Sequence, residues 1–182
     1  MNREQLSHVL RAAATIVNDG DILVIGSQSI LGTFDSNRLP EAAVMSVEAD
    51  LAFFDDPLEE KMDLVDGAIG EGSQFHMTYG YYAQGVTIET AVLPQGWRER
   101  VIRYRRTDAA PSEAVCLEPH DLVISKLVAS REKDLEFTSA LISSDLIQVR
   151  TLIDRTALLD QPEAVRVRVR SSIRKCTTRA GH

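Results

Sequence analysis

Glu48 and Asp50, separated only by Ala49, are the residues best placed to do chemistry. Strand side chains alternate, so residues two apart face the same way, roughly 6.6 Å apart along the chain. Two carboxylates so placed can converge on one divalent ion. Magnesium suits them, because it takes oxygen ligands and keeps waters and substrate phosphates in its shell. Val47, Ala49 and Leu51 alternate with the acids, so the opposite face belongs to a core. Acids are also ordinary on the wet face of a half-buried strand, so the pair alone does not decide. Upstream, Gly26-Ser27 closes the apolar run Ile22-Leu23-Val24-Ile25 and leads into a short helix. Glycine lets the backbone approach a ligand, and a helix N-terminus offers free N–H groups to phosphate. Ser27 and Ser29 add hydroxyl donors, although Ser27 also reads as a plain N-cap. Downstream, Lys126 lies among Leu122, Val123 and Leu127, so its stem is partly buried and its ammonium needs an anion. Ser130, Lys133 and Asp134 follow on the same side of that helix, and Arg131 and Asp134 are spaced for an ion pair.

The elements that must position these residues are legible in outline. Leu6, Val9, Leu10, Ala13, Ile16 and Val17 give an amphipathic helix from Asn2 to Asn18, with Asn2 and Gln5 as a capping box. Ile22–Ile25 reads as a strand buried on both faces. A loop from Thr33 to Glu41 precedes a second strand from Val44 to Phe54. Asp56 as N-cap and Pro57 at the first helical position start a helix over Leu58–Ile69. The glycine- and tyrosine-rich stretch 70–85 reads as a loop or short helix covering one end of a sheet. Further strands are expected at Val86–Leu93, Val101–Arg105 and Ala114–Leu117. From Pro119 the pattern is helical, with a break and a new N-cap at Ser143-Ser144-Asp145. The expected fold class is α/β (α+β): a mixed β-sheet flanked by helices over 1–117, then a C-terminal helical segment over 118–182.

Length and composition bound the function. A chain of 182 residues suits one domain, and 44% apolar with 26% charged residues is an ordinary globular balance. No run of 18 apolar residues exists, which excludes a membrane-spanning helix. The opening MNREQLSHVL has no apolar leader core, so the expectation is a cytoplasmic protein. Cys116 and Cys176 stand too far apart, and too far from histidine, for a zinc site or a disulfide framework. His76 and His120 also lack metal spacing. Aromatics at 5% argue against a stacking platform for single-stranded nucleic acid. The net charge of −7 is uneven: from Glu163 onward six basic residues face one acid, leaving a tail of +5 on a body of −12. The tail is either a solvated basic helix or a face for an anionic partner such as RNA. Arg98, Arg103, Arg105 and Arg106 either meet phosphate or decorate an edge strand, and Trp97 reads as a core anchor.

Val24-Ile25-Gly26-Ser27 followed by Val47-Glu48-Ala49-Asp50-Leu51 resembles the signature of the nucleotidyltransferase superfamily that includes DNA polymerase β. In that signature an apolar strand and Gly-Ser precede an acidic-x-acidic pair on the next strand. Here the gap is longer than usual, and the first acid is Glu where Asp is commoner. Glu118-Pro119-His120-Asp121-Leu122, continuing through Lys126 to Lys133-Asp134-Leu135, is similar to the helical segment of AbiEii-type nucleotidyltransferases. That group includes toxins of type IV toxin–antitoxin systems and the MenT toxins. With Tyr81-Tyr82-Ala83-Gln84-Gly85, the chain most resembles a small bacterial nucleotidyltransferase-like family of unknown function, over roughly residues 5 to 145.

The resemblance implies a Mg-dependent transfer from a nucleoside triphosphate to RNA, tRNA included, or to a protein. Glu48 and Asp50 would hold Mg, with Glu89 on the later strand as third carboxylate. Gly26, Ser27, Lys126 and Arg131 would bind the nucleotide's phosphates. Asp134 would orient Lys126 or activate the acceptor hydroxyl. The toxin branch implies a cognate antitoxin protein as partner. A rival reading is a non-catalytic descendant that binds a nucleotide or a partner protein.

Overall fold

The computed structural model describes residues 1–104 and 114–181. Arg105 and Arg106 lie outside the described residues. The first helix, α1 (Arg3–Val17), buries Leu6, Val9, Leu10 and Ala13 on one face. The Asn2 side chain accepts from the Gln5 N–H, and the Gln5 side chain accepts from the Asn2 N–H. Each fully buried leucine of that face stabilises by roughly 1.5–3 kcal/mol relative to exposure. Asn18, at φ 50°, adopts the left-handed conformation that ends the helix.

Five strands form one mixed sheet in the order β3-β2-β1-β5-β4. Their ranges are β1 Ile22–Val24, β2 Glu48–Phe53, β3 Tyr82–Gly85, β4 Ile102–Arg103 and β5 Val115–Cys116. β1 is antiparallel to β2 and parallel to β5, and it lies at the sheet's centre with every residue buried. That explains its unbroken apolar run. β2 runs parallel to β3, so the chain between them must cross over. The crossover is α3 (Glu60–Ile69) and α4 (Gln74–Tyr79).

Several expected boundaries move. The second strand does not begin at Val44; Glu41–Val44 is a helical turn, α2, and the ladder starts at Glu48. Asp56 is not the N-cap of α3. Glu59 takes that place in a left-handed conformation, while Asp56 accepts from the Lys61 and Met62 N–H groups. The strand expected at Val86–Leu93 is absent. The ladder runs upstream of it, at Tyr82–Gly85, and Ile88–Thr90 is a 3-10 turn closed by Thr90 N–H to Thr87 C=O. The apolar residues that suggested a strand there pack on the core from outside the ladder. Gly85 pairs with Leu51 in the ladder, and only glycine fits there, because a Cβ would lie 2.5 Å from the Met62 carbonyl oxygen.

Four helices follow: α5 (Pro119–Ala129), α6 (Glu132–Ser143), α7 (Val149–Ala157) and α8 (Glu163–Arg179). Pro119 opens α5, and Glu118 caps it by accepting from the His120 and Asp121 N–H groups. The N-cap expected at Ser143–Asp145 is displaced: Asp145 takes a positive φ of 53°, and α7 starts at Val149 after Gln148. One buried cluster runs from α1 and the sheet through α5, α6 and α8. Asp121, only 1% exposed, joins the two halves by accepting from Arg100 Nε at 2.8 Å and Arg155 Nη1 at 2.7 Å. Asp121→Ala would strand two arginines at a buried junction. Urea denaturation is expected to show a loss of about 3–5 kcal/mol.

Candidate functional site

β2 carries Glu48 and Asp50 on one face, while Ala49 and Leu51 are fully buried on the other. The Asp50 carboxylate lies directly against the backbone of Gly26, immediately after β1. A Cβ at position 26 would fall 1.4 Å from Asp50 Oδ2. Glycine is therefore required there by close approach and not by its φ, which is −75°. The ladder continues past β1 through Ile25 N–H to Asp50 C=O at 3.0 Å, which fixes the two segments in register. Burial, then the charge of Glu48, push the Asp50 carboxyl up to about 7. Two carboxylates sharing one small volume cannot both ionise freely without a cation. The donor set is oxygen only, as a hard divalent ion requires. Among the described residues no third His, Cys, Asp or Glu completes a metal cluster with them. Phosphate and water oxygens would fill the remaining positions.

The opposite wall comes from α5 and α6. Ser130, at φ 59°, reverses the chain between them and brings the last turn of α5 against the first turn of α6. Asp134 lies in that turn with no exposure. It accepts from Arg131 Nε at 2.8 Å and from Lys126 Nζ at 3.3 Å, and also from the Arg131 backbone N–H. Burial acts to raise the Asp134 carboxyl, but the Arg131 bond and the Lys126 charge outweigh it and hold it low. Lys126, 10% exposed, also sits 4.8 Å from the Phe137 ring centroid. Its burial lowers the ammonium against the pull of Asp134. The Asp50 charge is felt at both Lys126 and Arg131, and the two walls share one cavity.

These residues line one cavity of about 460 Å³. Gly26, Ser27, Glu48, Asp50, Lys126, Arg131 and Asp134, all singled out in the sequence, meet there. Ser46, Ser125, Lys133, Met45 and Phe137 also line it; no spacing rule points to Met45, Ser46 or Ser125. Gly26-Ser27 leads not into an α-helix but into a six-residue 3-10 turn, Ser27–Gly32, with no side-chain cap. Ser29 is enclosed in the interior away from the cavity. Glu89 is not brought to the pair. It is exposed on the 3-10 turn and lines a neighbouring cavity of about 380 Å³ with Asp55, Asp56, Glu59 and Arg98. β3 instead places Tyr82 opposite Glu48 and Gln84 opposite Asp50. The Tyr82 hydroxyl donates to Glu48 Oε2 at 3.0 Å, and burial and that bond push the phenol up to about 12.

The remaining candidates are structural. His120 bridges Glu118 and the Gln148 N–H, and His76 Nδ1 accepts from the Gly72 N–H. Trp97 stacks on Phe54 and packs on the core, with Arg98 over both rings. Arg103 lies on the edge strand β4. In α8, Arg166 and Arg170 pair with Glu163, Arg179 with Glu132, and Arg168 donates to the Val128 carbonyl. Arg174 and Lys175 are exposed. Both cysteines are buried and free; burial pushes the Cys116 thiol up to about 12. Among the described residues no helix is long and apolar enough to cross a membrane.

Residues 4–174 match the family model described as "Nucleotidyltransferase of unknown function (DUF6036)". The chain belongs to this family. No curated protein and no solved structure matches it. The family's general chemistry is nucleotidyl transfer, and the chain sets a paired-acid wall and a cationic wall on one cavity.

The Asp50 displacement has a measurable consequence. A carboxyl harder to ionise folded than unfolded favours the folded state below pH 4 and loses that contribution as pH rises through 7. The metal-free protein is expected to lose stability between pH 4 and 8. Asp50→Asn should match it at pH 4 and exceed it at pH 8 by on the order of 1–3 kcal/mol in denaturant titrations.

Proposed function

We propose that this nucleotidyltransferase-family protein transfers a nucleotidyl group from a nucleoside triphosphate to a hydroxyl acceptor, with magnesium as its ion. The observation that carries this reading is the single cavity with Glu48 and Asp50 against Gly26 on one side and Lys126 and Arg131 on the other. Glu48 and Asp50 would hold the ion, which when bound neutralises charge on the triphosphate and on departing pyrophosphate. Ser27 offers a hydroxyl to the phosphates from the Gly26 wall. Lys126 and Arg131 receive phosphate oxygens from the other side. Asp134, enclosed and bonded to both cations, positions them and does not face the acceptor. A bond forms from the acceptor oxygen to the α-phosphorus as the bond from that phosphorus to the α–β bridging oxygen breaks; pyrophosphate departs, and the acceptor's proton passes to solvent water. Positioning and charge stabilisation are most of what such a transfer needs.

For the acceptor we propose RNA, tRNA first, because α8 keeps Arg174 and Lys175 exposed on an otherwise acidic chain. A protein hydroxyl is the alternative acceptor. The resemblance to AbiEii-type and MenT toxins supports a toxin role with a cognate antitoxin protein, in the cytoplasm. One observation favours a second reading, a nucleotide- or partner-binding protein without catalysis: among the described residues no third acid joins the pair.

Incubation with each labelled triphosphate, Mg²⁺ and total RNA or protein separates these readings. Label should enter the acceptor fraction. Asp50→Ala is expected to abolish transfer, and Lys126→Ala to slow it by roughly 10²–10³-fold. Nucleotide binding with no transfer to either fraction would establish the second reading.

A further inference from the structure

In the motif Tyr81-Tyr82-Ala83-Gln84-Gly85, three residues have a plain structural role, Gln84 is exposed in the ladder, and one hydroxyl stands apart. Tyr81 bonds His8 Nδ1 at 2.7 Å, Ala83 is fully buried, and Gly85 gives its N–H to Asp66 Oδ1 at 2.6 Å. Each of these builds the sheet or seats α1 and α3 on it. Tyr82 differs. Its ring lies against that of His76, whose centroid is 4.6 Å away, and only 9% of the residue is exposed. A phenylalanine would fill that place equally well. The hydroxyl is spent on one group, Glu48 Oε2, at 3.0 Å.

The pairing is dictated by the ladder. β2 and β3 are parallel, with Glu48 directly opposite Tyr82, so both side chains leave the same face. His76 is brought to Tyr82 by the glycine-rich chain before β3: Ser73 caps α4, and the Gly72 N–H, at a φ of +76°, fixes His76 Nδ1. Glutamate carries one more rotatable bond than aspartate, and so it has more freedom to lose before it can hold anything. A hydrogen bond to one oxygen removes that freedom and leaves the other oxygen available.

We propose that Tyr82 is a positioning residue for the cation: it grips Glu48 by Oε2 and leaves Oε1 to share a divalent metal with Asp50. The inference rests on the nucleotidyl-transfer reading of this cavity and adds to it a partner outside the cavity wall. Groups that orient metal ligands from behind commonly contribute 10–100-fold in metal affinity.

The test uses the full chain and Mn²⁺ alone as probe, titrated by water-proton relaxation without nucleotide. Tyr82→Phe should weaken Mn²⁺ binding roughly tenfold, with an unchanged circular dichroism spectrum. In a Glu48→Asp background the shorter acid withdraws from the hydroxyl, so adding Tyr82→Phe should change nothing further. Asp50→Ala is the control that removes the site. If Tyr82→Phe binds Mn²⁺ as well as the unaltered protein, or weakens it equally in both backgrounds, the positioning role is refuted while the cavity's function stands. If the unaltered protein and Asp50→Ala bind Mn²⁺ indistinguishably, the nucleotidyl-transfer reading fails first, and this inference with it.

Discussion

Asp50 stands against a backbone with no space for a Cβ at position 26, and a second carboxylate leaves the same strand face two residues earlier. That crowding is the constraint around which the rest is arranged. Burial and then the charge of Glu48 push the Asp50 carboxyl up to about 7, so a proton or a cation beside it relieves the crowding. A half-buried strand face is a poor place for such a pair. It persists because β1, through Ile25, and β3, through Tyr82, clamp β2 from both sides.

The opposing wall solves the complementary problem. Lys126 and Arg131 cannot both approach a buried surface uncompensated, and Asp134 neutralises part of their charge from inside the α5–α6 turn. One acid against two cations leaves a surplus of positive charge directed at the cavity, where Glu48 and Asp50 supply the opposite surplus. The proposed ligand, an anion with its metal, would meet both walls at once. Arg131 adds freedom, since its side chain is 58% exposed while Asp134 is fixed.

Most of this site was legible because its signals are local. Alternation on β2 and the Gly-Ser after an apolar strand each follow from short-range rules, and so does a lysine among leucines. The missed parts depend on long-range pairing. Glu89 was assigned a strand from β-prone residues, but the ladder partner of Glu48 is Tyr82, hidden in a stretch whose glycines masked its extended pattern. Asp56 accepts from the first turn of α3 although it stands four residues before the helix, a geometry that sequence spacing does not announce. The tail's arginines looked free in the sequence, yet Glu163 and Glu132 engage three of them, and only packing of α8 on α6 reveals the second. The acids and the lysine declare themselves by type; their mutual distance is set by the sheet and by the Ser130 turn.

The order of strands in the sheet bears on how the protein is made. β1 emerges early, yet one of its two neighbours, β5, is not synthesised until residue 116, and Lys126 and Asp134 come later still. During translation the growing polypeptide carries both carboxylates long before it carries the cations that face them. An incomplete or prematurely released chain therefore lacks one wall of the cavity, which is complete only once the second half has docked.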